Sequence, residues 1–300
     1  MKREILAYSN GAWVPSAEIS IPLDDLGFLM GITVVERLRT FGGKLFHADS
    51  HLDRLRRSLE IMGWGAQKLS AEIEAALAGF MERNRPSIAV GDDWSVVALV
   101  TPGNLATAAK PTVCVHGYPL PFQKWADQFE AGLEAVIVNV RQVPNQCWPT
   151  ELKCRSRMHY YLADREAEAR QPGSRAILLD QDGFVGEGST ANVVAYFADR
   201  GLVTPQRSKV LPGVTQEVLY ELADSLGIPN CEADLHPTEL AEADELYFTS
   251  TSITLLPVVR LDGNRVGTGH PDSTYRRLLA AWSEHVGLSI PQQALQFSQR

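Results

Sequence analysis

Between Trp125 and Ser208 the chain carries a single lysine, Lys153, in the stretch TELKCRSRMHYYLADREAEA. A lysine amine condenses with carbonyl compounds once its surroundings leave it unprotonated. The neighbouring cations Arg155, Arg157 and His159 act in that direction, because like charges disfavour the ammonium form. Glu187 stands in DGFVGEGSTANV between Gly186 and Gly188. On a strand it points away from those glycines, whose bare backbone admits a close neighbour, and its carboxylate suits a protonated ring nitrogen. In VLPGVTQEVLYELADSLG a helix opens at Val214 and Thr215, where the amides and the Thr215 hydroxyl can receive an anion. Thr249, Ser250, Thr251 and Ser252 end the strand ELYF as a second row of hydroxyl donors, and Arg54 in HLDRL adds a bidentate guanidinium. Each also fits a plainer role: a snorkelling lysine, an edge-strand charge, an N-cap threonine, a polar turn.

Such residues need a scaffold, and the chain can build one. With 300 residues, 45% hydrophobic and 21% charged, it is long enough for two domains and able to bury a sizeable core. A net charge of -8 argues against the basic footprint of a nucleic-acid binder. Cys114, Cys147, Cys154 and Cys231 match no zinc or redox spacing and read as reduced thiols, so no metal site is expected. The opening MKREILAYSNGAW has no apolar core, and no run reaches the ~20 apolar residues of a membrane span, so a cytoplasmic protein is expected.

Asn-Gly in EILAYSNGAWVP predicts a tight hairpin, and TVVERLRTF, GG and KLF predict a second. Leu52, Leu55, Leu59 and Met62 recur at three- and four-residue spacing, an amphipathic helix with Asp49 or Ser50 as its N-cap. LSAEIEAALAGFMER repeats the pattern. Further helices are expected over RMHYYLADREAEAR, residues 215–226 and 273–286, with strands between them. Strands and helices mix without a βαβ rhythm, which indicates an α+β fold. The prolines and aromatics of GYPLPFQK place a boundary there. The expected division is a small N-terminal domain over 1–118, a linker over 119–126, and a larger C-terminal domain over 127–300.

The ordered motifs GITVVERLRTFGGKLFHADSHLDRL, LK before a helix, AILLDQDGFVGEGSTANV, GLVTPQRSKVLPGVTQ, ADELYFTSTSITLLPVVRLDG and GTGHPDSTYRRLL resemble the class IV aminotransferases. This is the fold type IV branch of the pyridoxal phosphate enzymes, with branched-chain aminotransferases, D-amino acid aminotransferases and aminodeoxychorismate lyases. The resemblance covers nearly the whole chain. It implies a homodimer with pyridoxal 5'-phosphate bound between two domains. It also implies transfer of an amino group from an amino acid of branched-chain or D type to a 2-keto acid through a Lys153 Schiff base. By similarity Glu187 keeps the pyridine nitrogen protonated, and Arg54, Val214, Thr215, Ser250 and Thr251 hold the phosphate. The alternatives are a lyase of the aminodeoxychorismate type and a cofactor-binding protein without turnover.

Two positions depart from the family pattern. Val35 stands where members commonly carry an aromatic before the glutamate of GITVVERLRT, and Pro102 in VTPGNLATAAKP stands where D-amino acid aminotransferases carry an arginine for the substrate carboxylate. If Val35 faces the cofactor, strand alternation sends Arg37 and Arg39 to the same face, as a replacement carboxylate trap. The competing expectation is that at least one of them pairs with a carboxylate or meets a subunit partner. Tyr160 or Tyr161 is a candidate partner for the cofactor's phenolic oxygen. Alternatively, the side chains after Lys153 face a subunit partner while Leu162 and Ala163 pack inward.

Overall fold

The computed structural model describes residues 4–104, 106 and 110–299; the first three residues of MKREIL, and 105 and 107–109 of VTPGNLATAAKP, lie outside them. The chain divides into two compact units, one of Met1–Leu120 with Glu151–Ser156 and one of Pro121–Thr150 with Arg157–Arg300. Among the described residues no helix is long and apolar enough to cross a membrane.

The first unit contains strands β1 (Leu6–Ser9), β2 (Ala12–Pro15), β3 (Val34–Phe41), β4 (Lys44–Leu45), β5 (Trp94–Thr101) and β6 (Thr112–Pro119), with helices α1 (Leu26–Leu29), α2 (Ala48–Ile61) and α3 (Ala66–Asn84). The strands form one sheet in the order β2-β1-β6-β5-β3-β4. Both expected hairpins are present. Asn10 and Gly11 turn at φ 48° and 92°, and Gly42 and Gly43 at 57° and 75°, the left-handed pair that a two-residue hairpin turn requires. Alternation then sorts β3. Val34 and Leu38 join Val96, Ala98, Val100, Val113 and Val115 on the face covered by Leu52, Leu55 and Leu59 of α2 and Ile73, Leu77 and Phe80 of α3. Each such valine, leucine, isoleucine or phenylalanine, fully buried, contributes about 1.5–3 kcal/mol. The opposite face aligns Val35 with Leu99 and Cys114, Arg37 with Val97 and His116, and Arg39 with Ser95 and Tyr118.

The N-cap expected at Asp49 or Ser50 is not found. Helix α2 starts earlier, after His47, which turns at φ 46° and makes no side-chain cap. The chain leaving β4 reverses through that left-handed residue, so Asp49 falls inside the first turn, where its charge suits the helix dipole.

The second unit contains β7 (Leu133–Arg141), β8 (Arg175–Leu179), β9 (Val185–Gly188), β10 (Asn192–Phe197), β11 (Gly201–Thr204), β12 (Asn230–Glu232), β13 (Glu245–Ser250), β14 (Thr254–Leu261) and β15 (Asn264–Arg265). Its helices are α4 (Gln128–Ala131), α5 (Met158–Arg170), α6 (Val214–Ser225), α7 (Pro237–Ala241), α8 (Ser273–Val286) and α9 (Ile290–Phe297). The sheet runs β12-β11-β10-β13-β14-β7-β8-β9, and β9 pairs back onto β10. That last pairing, Asn192 with Glu187, closes β10, β13, β14, β7, β8 and β9 into a ring. Helix α5 packs through Ala163 and Ala167 on Val136, Val138, Ala176 and Leu178. Leu162 instead points to solvent. The expectation that it packs inward with Ala163 is therefore corrected: small residues four apart, one turn along the helix, line the contact.

The units divide between Leu120 and Pro121, inside the expected linker over 119–126, where Leu120, Phe122, Trp125 and Ala126 are buried around a short 3-10 turn at Phe122–Lys124. Of the span expected as one domain over 127–300, Glu151–Ser156 goes with the first unit. The glycines flanking Glu187 have a packing reason as well. A Cβ on Gly188 would lie 2.7 Å from the Phe248 ring and 3.3 Å from the Ala176 and Ala191 carbonyl oxygens. Gly188→Ala is therefore expected to overpack the ring interior and cost about 1–3 kcal/mol, read as a lowered urea midpoint.

Candidate active site

Lys153 belongs to the first unit, where its segment lies along the start of β3. The Lys153 carbonyl accepts from the Val35 amide at 2.9 Å, and the Lys153 amide donates to Ser58 Oγ at 3.2 Å. Two residues on, the Arg155 amide donates to Thr33 Oγ1 at 2.8 Å and Ser156 Oγ to the Gly31 carbonyl at 2.7 Å. Four bonds thus fix the lysine's backbone against β3 and α2.

Beside it lies a buried charged cluster. Glu36, on the core face of β3, accepts from Arg54 through both carboxylate oxygens, Nη2 to Oε1 at 2.7 Å and Nε to Oε2 at 3.0 Å. His51 Nδ1 lies 3.0 Å from the same Oε1. Burial alone would raise the Glu36 carboxyl's proton affinity, but the Arg54 charge and His51 outweigh it and hold the group well below the usual carboxylate range. His51 shifts downward, mainly from burial and also from the charges of Arg54 and Lys153, against the pull of Glu36. A neutral imidazole facing a carboxylate must carry its proton on Nδ1, so His51 donates to Glu36. A carboxylate in an otherwise apolar core is stable only when its lone pairs are so filled.

In the second unit, Glu187 is 5% exposed and so is not the edge-strand charge its local sequence also allowed. Its Oε1 accepts from Tyr160 Oη and from Gln142 Nε2, each at 2.5 Å, and Oε2 accepts from the Leu211 amide at 3.3 Å. Burial, then the Glu187 charge, pushes the Tyr160 phenol well above its ordinary value, so it remains a donor. Asn192 Nδ2 donates to the Leu211 carbonyl at 2.9 Å, and a Cβ on Gly213 would collide with Asn192 Oδ1. The loop ahead of α6 is thus tied to both partners of the β9–β10 closure. Helix α6 starts after Gly213 with no side chain capping its first amides, and Thr215 is buried in its first turn. Elsewhere, Ser250 pairs with Thr254 across the β13–β14 turn. Thr254 adopts φ 59°, rare for a β-branched residue, and its carbonyl accepts from Thr249 Oγ1 at 2.7 Å. Thr249 is therefore spent on the turn itself, and the row of four hydroxyl donors is corrected to the half-buried Ser250 and Thr251 with Ser252 beside them.

The amino-transferase class IV family model matches residues 33–261. The chain belongs to the class IV aminotransferases. It is 27% identical over 285 residues to D-alanine aminotransferase of Bacillus licheniformis, covering 92% of this chain and 95% of that one. It is 30% identical over 265 residues to a probable branched-chain-amino-acid aminotransferase of Thermotoga maritima, covering 86% and 88%. The fold matches a T.th. branched-chain amino acid aminotransferase, solved with N-(5'-phosphopyridoxyl)-L-glutamate, at a TM-score of 0.82 and 21% identity over 96% of each chain. As a class IV aminotransferase this chain uses pyridoxal 5'-phosphate, and its residues suit that molecule. The first unit offers a lysine amine and a buried guanidinium, which match an aldehyde and a dianionic phosphate; the second offers a helix start without a side-chain cap and a buried carboxylate, which match a phosphate and a ring nitrogen.

Not every expected residue of the aminotransferase stands as anticipated. Arg39 is 1% exposed, with Nη2 3.6 Å from Asp93 Oδ2 and its guanidinium 3.7 Å from the Phe41 ring centroid. It shares the strand face of Val35 and Arg37, but a carboxylate already holds it, so the two-arginine trap is corrected to Arg37 alone. The Tyr160 hydroxyl serves Glu187, which corrects its assignment to the phenolic oxygen, and Tyr161 is exposed. Sequence reasoning missed Glu36, His51, Gln142 and Asn192. Glu36 had a signal, since it alternates with Val34 and Leu38 and so had to face the core.

Breaking a buried pair from one side leaves an uncompensated charge, so Glu36→Gln is expected to cost about 3–5 kcal/mol in chemical denaturation. The folded-state carboxyl is depressed, so its contribution is present above the unfolded Glu value and lost as pH falls below it. The acid-induced loss of stability is accordingly expected to be shallower in Glu36→Gln than in the wild type.

Proposed function

We propose that this aminotransferase moves an amino group from a branched-chain or D-amino acid to a 2-keto acid, with Lys153 as the covalent anchor and proton carrier. The observation that carries this reading is that the Lys153 amide is bonded to Ser58 of α2, one turn beyond Arg54, whose buried guanidinium is held on Glu36. A lysine and a buried guanidinium in one neighbourhood suit one ligand bearing a carbonyl and a phosphate. The names of the relatives, a D-alanine aminotransferase and branched-chain aminotransferases, support the donor classes.

In the first unit Arg54, held in orientation by Glu36, is suited to a phosphate; in the second, the amides of Val214 and Thr215 and the hydroxyls of Thr215, Ser250 and Thr251 are suited to the same group. Glu187 holds the ring nitrogen's proton. Its donors Tyr160, Gln142 and the Leu211 amide favour the ionised, acceptor-only carboxylate that this task needs. Bound pyridoxal phosphate supplies an electron sink that makes the substrate Cα–H acidic. Lys153 Nζ takes that proton and hands it on, as a general base and then a general acid. His51, neutral and donating to Glu36, adds no further positive charge beside the lysine.

A homodimer is part of the proposal. Leu23, Phe28, Leu29 and Met30 are exposed within one short stretch of the first unit, an apolar run that a second subunit would cover. Cys114, Cys147, Cys154 and Cys231 form no disulfide with one another, which suits a reducing, cytoplasmic setting.

Borohydride treatment of the wild-type holoenzyme is expected to fix the cofactor on the peptide containing Lys153, read by mass. Lys153→Ala is expected to lose that label and slow the amino-donor half-reaction by about 100- to 10,000-fold. Full turnover in Lys153→Ala would sink the reading.

A further inference from the structure

We propose that Arg37, His116 and Arg155 form the subsite that receives the carboxylate on the reacting carbon of the amino donor and keto acid. The inference rests on the aminotransfer reading above and assigns its substrate recognition. It begins with the sheet register: Arg37 on β3, Val97 on β5 and His116 on β6 lie side by side on the face opposite α2 and α3. The Arg37 guanidinium lies 5.9 Å from the Tyr118 ring centroid, and His116 stacks on the same ring at 6.2 Å and 28°. Tyr118 thus supports both side chains, the arginine by a cation–π contact.

Charge points the same way. Burial lowers the proton affinity of His116, and the positive charges of Arg155 and then Arg37 lower it further. Among the described residues neither Arg37 nor His116 enters an ion pair. Arg39, two residues along the same strand, shows the contrast, because Asp93 balances it. Positive charges gathered about a half-buried ring disfavour one another, and an anion relieves them together. A carboxylate, the anion that an amino acid and a 2-keto acid share, has two oxygens that match a guanidinium fork.

The placement suits the reacting carbon. Val35, whose amide bonds the Lys153 carbonyl, precedes Arg37 by two residues, about 7 Å of strand. Arg155 follows Lys153 by two residues and is anchored through its amide to Thr33. The same unit that fixes the lysine therefore carries the cations. The subsite predicts a preference for amino acids over simple amines.

The test is calorimetry on cofactor-loaded enzyme with 4-methylpentanoate, its neutral isostere 4-methylpentanamide, and glutarate. Wild type is expected to bind the carboxylate at least tenfold more tightly than the amide, and Arg37→Gln to lose that preference ten- to a hundredfold. In parallel, the ratio of half-reaction rates with leucine enantiomers against 3-methylbutylamine is expected to fall at least tenfold. Should Arg37→Gln fail to fold, Arg37→Lys, which keeps the charge without the fork, is expected to show an intermediate loss. An unchanged preference in a folded, cofactor-loaded Arg37 variant overturns the proposal. So does a preference for glutarate over 4-methylpentanoate that Arg37→Gln abolishes, which would assign the cluster to a side-chain carboxylate. Failure of the underlying reading shows separately, as wild-type enzyme in which borohydride fixes nothing at Lys153.

Discussion

A carboxylate in the core of the first unit must be held ionised, and the local architecture follows from how that is done. Glu36 reaches the helix-covered face of β3 because strand alternation leaves it no other, between Val34 and Leu38. Its charge is tolerable there only because α2 presents Arg54 and His51, three residues apart on one side of the helix. The pair locks α2 to β3 at a single rotation and height. That in turn sets Ser58, one turn further along α2, as acceptor for the Lys153 amide. A fold-stabilising ion pair and the position of Lys153 are therefore one constraint.

The second unit answers the same problem by closing its sheet. Glu187 sits at the β9–β10 seam, opposite Asn192, and the seam is held by backbone pairing and by side chains on both partners. Gly188 is needed because the Phe248 ring and two carbonyl oxygens fill the space where a side chain would go. The carboxylate's donors come from β7's end, α5 and the loop before α6, so its position is set by elements far apart in the chain. Asn192 fills the space in front of Gly213, which couples the seam to the start of α6. Preorganisation of this kind lets acceptor and donor groups act without rearranging when charge develops.

Local features were legible in the sequence and long-range ones were not. Asn10-Gly11 and Gly42-Gly43 announce their hairpins because positive φ is a property of those residues. Helix α8 runs over Ser273–Val286 as its periodicity indicates, capped by Asp272. The start of α2 was misjudged because His47 takes a left-handed turn that no propensity signals. The prolines of GYPLPFQK mark the place where the two units divide but say nothing about whether Phe122 and Trp125 are buried. Within the site, Lys153 and Glu187 stood out by type and family order. The membership of Lys153 in the first unit depends on bonds to Val35 and Ser58, about a hundred residues away, which no local pattern encodes. Tyr160, Gln142 and Glu187 meet from three elements for the same reason.

Strand β3 shows why alternation alone cannot assign roles. It carries Glu36 on one face and Arg37 and Arg39 on the other, and each charge meets a different environment. Glu36 is neutralised by Arg54 across the helix interface, and Arg39 by Asp93 just before β5, where Thr40 Oγ1 also donates to Asp93 at 2.7 Å. Arg37, level with His116, meets an aromatic ring and further positive charge. A fold selected only for stability would gain by placing an opposite charge there, as it does for Glu36 and Arg39 on the same strand. That Arg37 has no acid to pair with among the described residues, while both neighbours are balanced, is a cost, and substrate binding is the process that can offset it.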